Sequence, residues 1–311
     1  MKKISMVIPV YNEEKVLNQC YNRVKANLNQ IENYEHEIIF INDGSKDQSL
    51  EMLEKIANND INVKIISFSR NFGHQAAVTA GLKAVTGDAI VILDADMQDP
   101  PELIADMIKK WEEGYEVIYG KRSTRKGESA FKLLSAKMFY NTLNVLSDVE
   151  IPKNTGDFRL VDRKVVDTIN SLPEHNKFLR GLFSWVGYKQ YAYEYERQER
   201  IAGKTKYPLK KMFHLASDGI VSFSSKPIKL VGGLGVISIS ISILILIYAL
   251  ISYIFKLNHL TAGWTSIMIA ITFFAGVQLL SLWVMSEYIG RIYDEAKGRP
   301  QYVIDKKINF R

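Results

Sequence analysis

Two long runs without a formal charge constrain this chain more than anything else in it. From Leu230 to Phe255 there is no Asp, Glu, Lys or Arg, and from Leu257 to Ser286 there is again none. Each exceeds the roughly 20 apolar residues that a helix needs to cross a ~30 Å hydrocarbon layer. The first, LVGGLGVISISISILILIYALISYIF, is too long and too clean for the core helix of a soluble domain. The second centres on WTSIMIAITFFAGVQLLSLWVM and carries one polar amide, Gln278. Together they predict two transmembrane helices within 230–286. Two spans return the chain to the side it started from. The flanks are basic, with Lys226 and Lys229 before the first run and Arg291, Lys297, Arg299, Lys306, Lys307 and Arg311 after the second. Positive charge is retained on the cytoplasmic side. The expectation is a multi-pass protein of the cytoplasmic (inner) membrane, with the large amino-terminal region, the basic tail at 287–311 and both termini in the cytoplasm. Spans with so few polar groups make a poor transport path.

The amino-terminal MKKISMVIPVYNEE has two lysines and an apolar run, but the run is too short for a signal peptide and meets Pro9 and charged residues at once. It reads as a first strand. Cys20 is the only cysteine, so no intrachain disulfide forms, in keeping with a reducing compartment. Over the first ~160 residues apolar runs alternate with amphipathic stretches. The pattern predicts strands at 4–10, 36–43, 63–69, 89–96 and 116–122, and helices at 14–30, 48–58, 73–85 and 101–112. Strands of near-continuous Val and Ile with helices between them imply a mostly parallel sheet covered on both faces. Further on, TGDFRLVDRKVV reads as a turn, a short strand and a helix start. Residues 204–229 are basic and amphipathic and fit a helix lying in the membrane interface.

In parallel α/β sheets ligands bind beyond the carboxyl ends of the strands. Here strand one ends in PVYNEE, strand two in NDGS, strand three in SRNFGHQ and strand four in DADMQD. Asp94 and Asp96 stand two residues apart. In an extended segment they face one side, where two anions raise each other's pKa unless a cation separates them. Mg²⁺ or Mn²⁺ suits an all-oxygen site, and the Gln98 amide oxygen is a neutral third ligand. A solvated acidic turn is the plainer alternative. Asp99 suits the cap of a helix opened by Pro100 and Pro101. His74 reads simply as a helix start.

The segments PVYNEE, NDGS, SRNFGHQAA, DADMQDPPE and GDFRL, in this order and followed by two apolar runs, resemble the family-2 glycosyltransferases. More closely they resemble the polyisoprenyl-phosphate glycosyltransferases, which include dolichol-phosphate mannose synthases and bacterial undecaprenyl-phosphate glucosyl- and GlcNAc-transferases. The resemblance spans nearly the whole chain. It implies an α/β fold, the GT-A nucleotide-binding sandwich, followed by a two-helix transmembrane region. The expected layout is a catalytic domain over 1–203, an interfacial segment over 204–229, membrane helices over 230–286 and the tail.

By the same resemblance Pro9, Tyr11, Asn12 and Glu13 border the nucleoside, Asp43 contacts the base, and Arg70 and Gly73 lie near the donor. Asp94, Asp96 and Gln98 carry the metal that bridges the donor's pyrophosphate. Asp157 of GDFRL lies near the acceptor. Arg122, Arg200 and Lys206 are the candidates for its phosphate, with Lys121, Arg125 and Lys204 close by. The implied reaction is inverting transfer of one sugar, from UDP-glucose or UDP-GlcNAc, to undecaprenyl phosphate. A phosphate monoester, with a second pKa near ~6, is mostly dianionic at neutral pH and already nucleophilic. A strong base is therefore less needed, and Asp157 is expected to position rather than deprotonate. The Q-x-x-R-W motif of processive relatives is missing from the nearest stretch, NKFLRGLFSW, which favours single transfer. Gly232, Gly233 and Gly235 permit the close helix packing of a homo-oligomer. Nothing suggests a nucleic-acid partner. The competing reading is a non-catalytic membrane protein that binds nucleotide sugar or lipid beside a flippase.

Overall fold

Strands that are apolar on both faces need cover on both faces, and the elements between them supply it. The computed structural model describes residues 1–123, 152, 155–175, 177–196, 226–255 and 263–310. Its first half runs β1 (Lys2–Val10), α1 (Leu17–Asn29), β2 (Tyr34–Asn42), α2 (Ser49–Asn59), β3 (Val63–Phe68), α3 (His74–Ala84), β4 (Ala89–Ile92), a 3-10 turn (Pro101–Leu103) leading into α4 (Ile104–Glu112), and β5 (Val117–Arg122). There follow β6 (Thr155–Asp162), α5 (Arg163–Ser171), α6 (Leu179–Trp185), β7 (Gln190–Tyr195), two long helices α7 (Lys226–Ile254) and α8 (Trp264–Ala296), and β8 (Ile304–Ile308).

The strands form one sheet in the order β7-β5-β6-β4-β1-β2-β3-β8. Its centre, β4-β1-β2-β3, is parallel, as the buried apolar runs predict. The sheet as a whole is mixed, because β6 runs antiparallel between β4 and β5, and β8 runs antiparallel along β3. Successive side chains on a strand enter opposite layers. Ile4, Met6 and Ile8 of β1 and Ile38 and Phe40 of β2 enter one core; Val7, Ile39 and Ile41 enter the other. Each such side chain, when fully buried, contributes about 1.5–3 kcal/mol. At the amino ends of the central strands, buried Glu37 accepts from Ser5 Oγ at 2.5 Å, Lys64 Nζ at 2.8 Å, and Thr86 N and Oγ1 at 2.8 and 2.9 Å.

Three expectations need correction. The fourth strand stops at Ile92, where its pairing with β6 ends at Arg159, and the chain then turns, with Met97 at φ 59°. The carboxylates at 94 and 96 are thus presented by a turn, not by extended strand. Asp99 does not cap the next helix: Pro100 holds that position, no side chain caps it, and Asp99 is buried at 1% exposure. Nor is 287–311 simply a tail. Helix α8 continues to Ala296, and residues 304–308 add an edge strand to the sheet, with Lys306 bonded to Glu54 at 2.6 Å.

Among the described residues one stretch, Phe273–Ala296 within α8, is long and apolar enough to cross a membrane by length and composition. The interfacial segment at 204–229 lies outside the described residues except for 226–229, which open α7.

Candidate active site

The loops beyond β1, β2 and β3 are locked to one another by short polar contacts. Asn12, at φ 54°, donates its backbone N–H to Ser45 Oγ at 3.0 Å and accepts from the Lys46 N–H at 2.8 Å through Oδ1. The Glu13 N–H donates to Ser49 Oγ at 2.9 Å. Gly44, at φ +64°, lets the second loop touch the third, since a Cβ there would lie 2.3 Å from the Arg70 carbonyl carbon.

Asp43 is 3% exposed and braces that junction. Its Oδ1 accepts from the Phe72 N–H at 2.7 Å, and its Oδ2 from the Gly73 N–H at 3.0 Å and Asn71 Nδ2 at 2.8 Å. Burial raises its pKa more than these donors lower it. Pro9 is buried inside β1, Tyr11 is half-buried, and Arg70 is exposed with its guanidinium 4.0 Å above the Phe72 ring.

On the DADMQD turn the polar residues keep the alternation expected of a strand although the backbone does not. Asp94, Asp96 and Gln98 are partly accessible, while Ala95, Met97 and Asp99 between and after them are buried. Asp96 Oδ1 accepts from the Gln98 N–H at 3.2 Å, which holds the turn. Buried Cys20 senses the gathered charge beneath it. Its pKa is raised to about 12, first by burial and then by Asp96, Glu13 and Asp94.

Two side chains that sequence reasoning passed over complete the centre. Arg180 of α6 donates from Nε to Asp157 Oδ1 at 2.7 Å and from Nη2 to Oδ2 at 2.9 Å. His74, the first residue of α3, places Nε2 at 3.1 Å from Asp157 Oδ2 and 3.7 Å from Asp94 Oδ1. That nitrogen is buried and off hydrogen-bond alignment. Burial opposes its protonation, but the charges of Asp94 and Asp157 prevail and raise its pKa to about 9. The two carboxylates thus favour the protonated ring. Asp157 itself lies within β6, not in a turn, and is 8% exposed. Against the cost of burial, Arg180 and His74 hold its pKa well below the usual carboxylate range.

Arg122, at the end of β5, lies beside the same residues. Its Nη2 is 3.6 Å from Asp99, its Nε donates to Tyr195 Oη at 3.5 Å, and the Tyr195 hydroxyl donates to Asp99. Gly156 makes room for it: a Cβ there would lie 2.6 Å from Arg122 Nη2. Lys121 instead pairs with Glu194 at 2.7 Å on the exposed side of the strand. Arg125, Arg200, Lys204 and Lys206 lie outside the described residues.

Among the described residues no three His, Cys, Asp or Glu side chains are gathered to hold a metal ion. The donor set of Asp94, Asp96 and Gln98 fits a different pattern. Mg²⁺ commonly takes one or two carboxylates and completes its shell with water and substrate phosphates. The charge balance agrees. The Asp94 carboxyl is pushed up to about 6 by burial, and although His74 opposes this, Asp157, Asp99 and Asp96 add to it. A cation bound there would favour the charged form of these carboxyls.

Comparisons with known proteins show the family. The family described as Glycosyl transferase family 2 matches residues 5–169. An uncharacterized glycosyltransferase of Bacillus subtilis, YkcC, is 54% identical over 303 residues, covering 97% of this chain and 93% of that protein. A prophage bactoprenol glucosyl transferase homolog of Escherichia coli is 41% identical, covering 98% of this chain and 99% of that protein. The bactoprenol glucosyl transferase of Shigella phage SfII is 42% identical and covers 98% of each chain.

Proposed function

The chain belongs to glycosyl transferase family 2 and is a glycosyltransferase with a GT-A-like mixed α/β sheet; from that premise we propose that it transfers a single glucosyl residue from UDP-glucose to undecaprenyl phosphate at the cytoplasmic face of the membrane. The observation that carries this reading is the near-complete alignment, at 41–42% identity, with proteins named for glucosyl transfer to bactoprenol. The non-catalytic alternative has no such support.

The donor lies across the loops beyond β1 to β3, with Pro9, Tyr11, Asn12 and Glu13 along the nucleoside, Asp43 at the base and Arg70 at the rim. Asp94, Asp96 and Gln98 would hold Mg²⁺ or Mn²⁺, and the bound ion would supply Lewis-acid stabilisation of the charge on the departing nucleoside diphosphate. Arg122, assisted by Arg200 and Lys206, binds the acceptor's phosphate, since guanidinium forks match phosphate oxygens. That phosphate attacks as a dianion. Asp157 is a poor base, because its proton affinity is lowered by Arg180 and His74. It orients the two cations, and its own charge is offset by theirs, so it does not repel the nucleophile. Attack opposite the leaving group inverts the anomeric centre and yields a β-linked lipid-phosphate sugar. Helices α7 and α8 span the membrane, and the α/β domain and both termini lie in the cytoplasm.

The test is a donor panel with the purified full-length protein. UDP-glucose, UDP-GlcNAc and GDP-mannose are each supplied with undecaprenyl phosphate or with undecaprenol, which lacks the phosphate. Glycolipid from UDP-glucose and the phosphate acceptor alone is the expected result. No product with any donor refutes the reading, and product with undecaprenol refutes the nucleophile.

A further inference from the structure

A cleft of about 820 Å³ lies between the first turn of α3, the segment before α6 and the carboxyl-terminal end of α8. His74 and Gln75 form one wall, Lys177 and Phe178 a second, and Arg291, Lys297 and Arg299 a third. Glu287 and Asp294 also line it, so cations outnumber carboxylates. Lys177 faces inward and donates to the Ile169 carbonyl at 2.5 Å, whereas Lys297 and Arg299, just past the end of α8, are exposed. Lys297 lies 3.5 Å from Asp294 and 3.9 Å from the Tyr293 ring.

The walls are fixed to one another. The Glu295 carboxylate accepts from the His175 N–H at 2.9 and 3.1 Å, and Gln75 Oε1 accepts from the Leu179 N–H at 3.1 Å. Beyond α8 the chain docks as β8 on β3. The cleft is therefore held open between the long helix and the α/β domain. It reaches the catalytic centre through one residue. His74 lines the cleft and also pairs with Asp157 and Asp94.

We propose that this cleft is the entry site for the phosphate head of the lipid acceptor, a step that rests on the transfer reaction proposed above. The charge-free part of α8 ends at Ser286, at the edge of the cleft, and Glu287, Arg291 and Asp294 of the following turns line it. With the charge-free part in the membrane, the cleft opens at headgroup depth, where a polyprenyl phosphate carries its charge. Phe72, Phe178 and Pro300 give an apolar lining beside the cations, as a phosphate joined to an isoprenoid chain requires. The head group is received by Lys297 and Arg299 beside His74, the residue that the cleft shares with Asp157 and Asp94. The shared residue His74 favours the acceptor over bulk anionic lipid, which has no need of a site beside these carboxylates.

The experiment uses the full chain in nanodiscs with a benzophenone-bearing polyprenyl phosphate as the probe, and crosslinks are mapped by mass spectrometry. Labelling of 287–301 that is displaced by undecaprenyl phosphate, but not by phosphatidylglycerol or undecaprenol, is the expected result. Displacement by phosphatidylglycerol to the same degree identifies a general lipid site and overturns the proposal, as does labelling elsewhere only. In parallel, Arg299→Glu with Lys297→Glu is expected to raise the KM for lipid about tenfold while the KM for nucleotide sugar moves less than about twofold. The single exposed change Arg299→Gln is expected to move it in the same direction to a smaller extent. An unchanged lipid KM in both variants overturns the proposal. The crosslinking arm requires no turnover, so a wild-type protein that makes no glycolipid fails the transfer reading and still leaves the cleft to be judged.

Discussion

Arg180 grips Asp157 in a two-pronged hydrogen bond, Nε to Oδ1 at 2.7 Å and Nη2 to Oδ2 at 2.9 Å, and both partners are mostly buried. Removing one partner of such a pair leaves an uncompensated charge that costs about 3–5 kcal/mol. Arg180→Ala is therefore expected to lower the thermal unfolding temperature clearly and to reduce kcat by more than about tenfold. Arg180→Lys keeps a charge but loses the fork and falls between. Thermal unfolding and steady-state assays on the detergent-solubilised protein check both. Wild-type kcat in Arg180→Ala contradicts the role given to the pair.

His74 lies between Asp157 and Asp94, whose charges favour its protonated form. His74→Gln retains polarity and removes the charge. The expected result is a fall in kcat of about tenfold or more with a KM for nucleotide sugar within about threefold of wild type. If instead only the donor KM rises, His74 belongs to the nucleotide site.

Arg122 lies against Asp99 and over Gly156. Arg122→Ala is expected to raise the KM for the lipid acceptor about tenfold, more than that for the donor. Gly156→Ala displaces the same guanidinium without deleting it, and a smaller change in the same direction is expected. Initial-rate measurements with each substrate varied in turn distinguish the two constants. Equal shifts in both argue against an acceptor role.

Glu37 gives the stability of the α/β domain a pH dependence. Burial would raise its pKa, but Lys64, Ser5 and Thr86 outweigh burial and lower it from 4.5 to about 2. A depressed folded-state pKa contributes stability above the unfolded value and loses it as the pH falls through the folded value. At roughly 1.4 kcal/mol per pH unit the contribution is about 3 kcal/mol above pH 4.5, lost progressively toward pH 2. Glu37→Gln is expected to be less stable at neutral pH and to show a shallower loss between pH 4.5 and 2. Denaturant unfolding across that range measures the difference, and parallel pH profiles for both proteins contradict it.

The parallel centre of the sheet was legible because continuous Val and Ile runs leave a chain few alternatives. The gathering of polar loops beyond the sheet was legible in outline because polar residues recur at four strand ends in succession. What the sequence did not reveal are pairings between residues distant along the chain. Asp157 meets His74 and Arg180 across the fold, and no local spacing announces either. A signal for Arg180 exists in hindsight: a lone charge within the apolar FLRGLFSW needs a partner once that helix is buried. His74 follows strand three at the same edge as the other site residues, but its place at the head of α3 accounted for it locally. Asp99 misled because a carboxylate before two prolines is an ordinary cap, whereas Arg122 and Tyr195 drew it inside. The strand Ile304–Ile308 escaped notice because its exposed centre is Asp-Lys-Lys, a charge pattern common on sheet edges.

The central claim is that Asp94, Asp96 and Gln98 hold a divalent cation on which sugar transfer to the lipid depends. Its most direct test is turnover of radiolabelled UDP-glucose with undecaprenyl phosphate by wild type and Asp96→Asn, first with EDTA and then with Mg²⁺ or Mn²⁺ restored in excess. Wild-type transfer is expected to fall to background in EDTA and to return with the metal, while folded, membrane-inserted Asp96→Asn stays near background throughout. Undiminished transfer in EDTA, or a normal rate in Asp96→Asn, contradicts it.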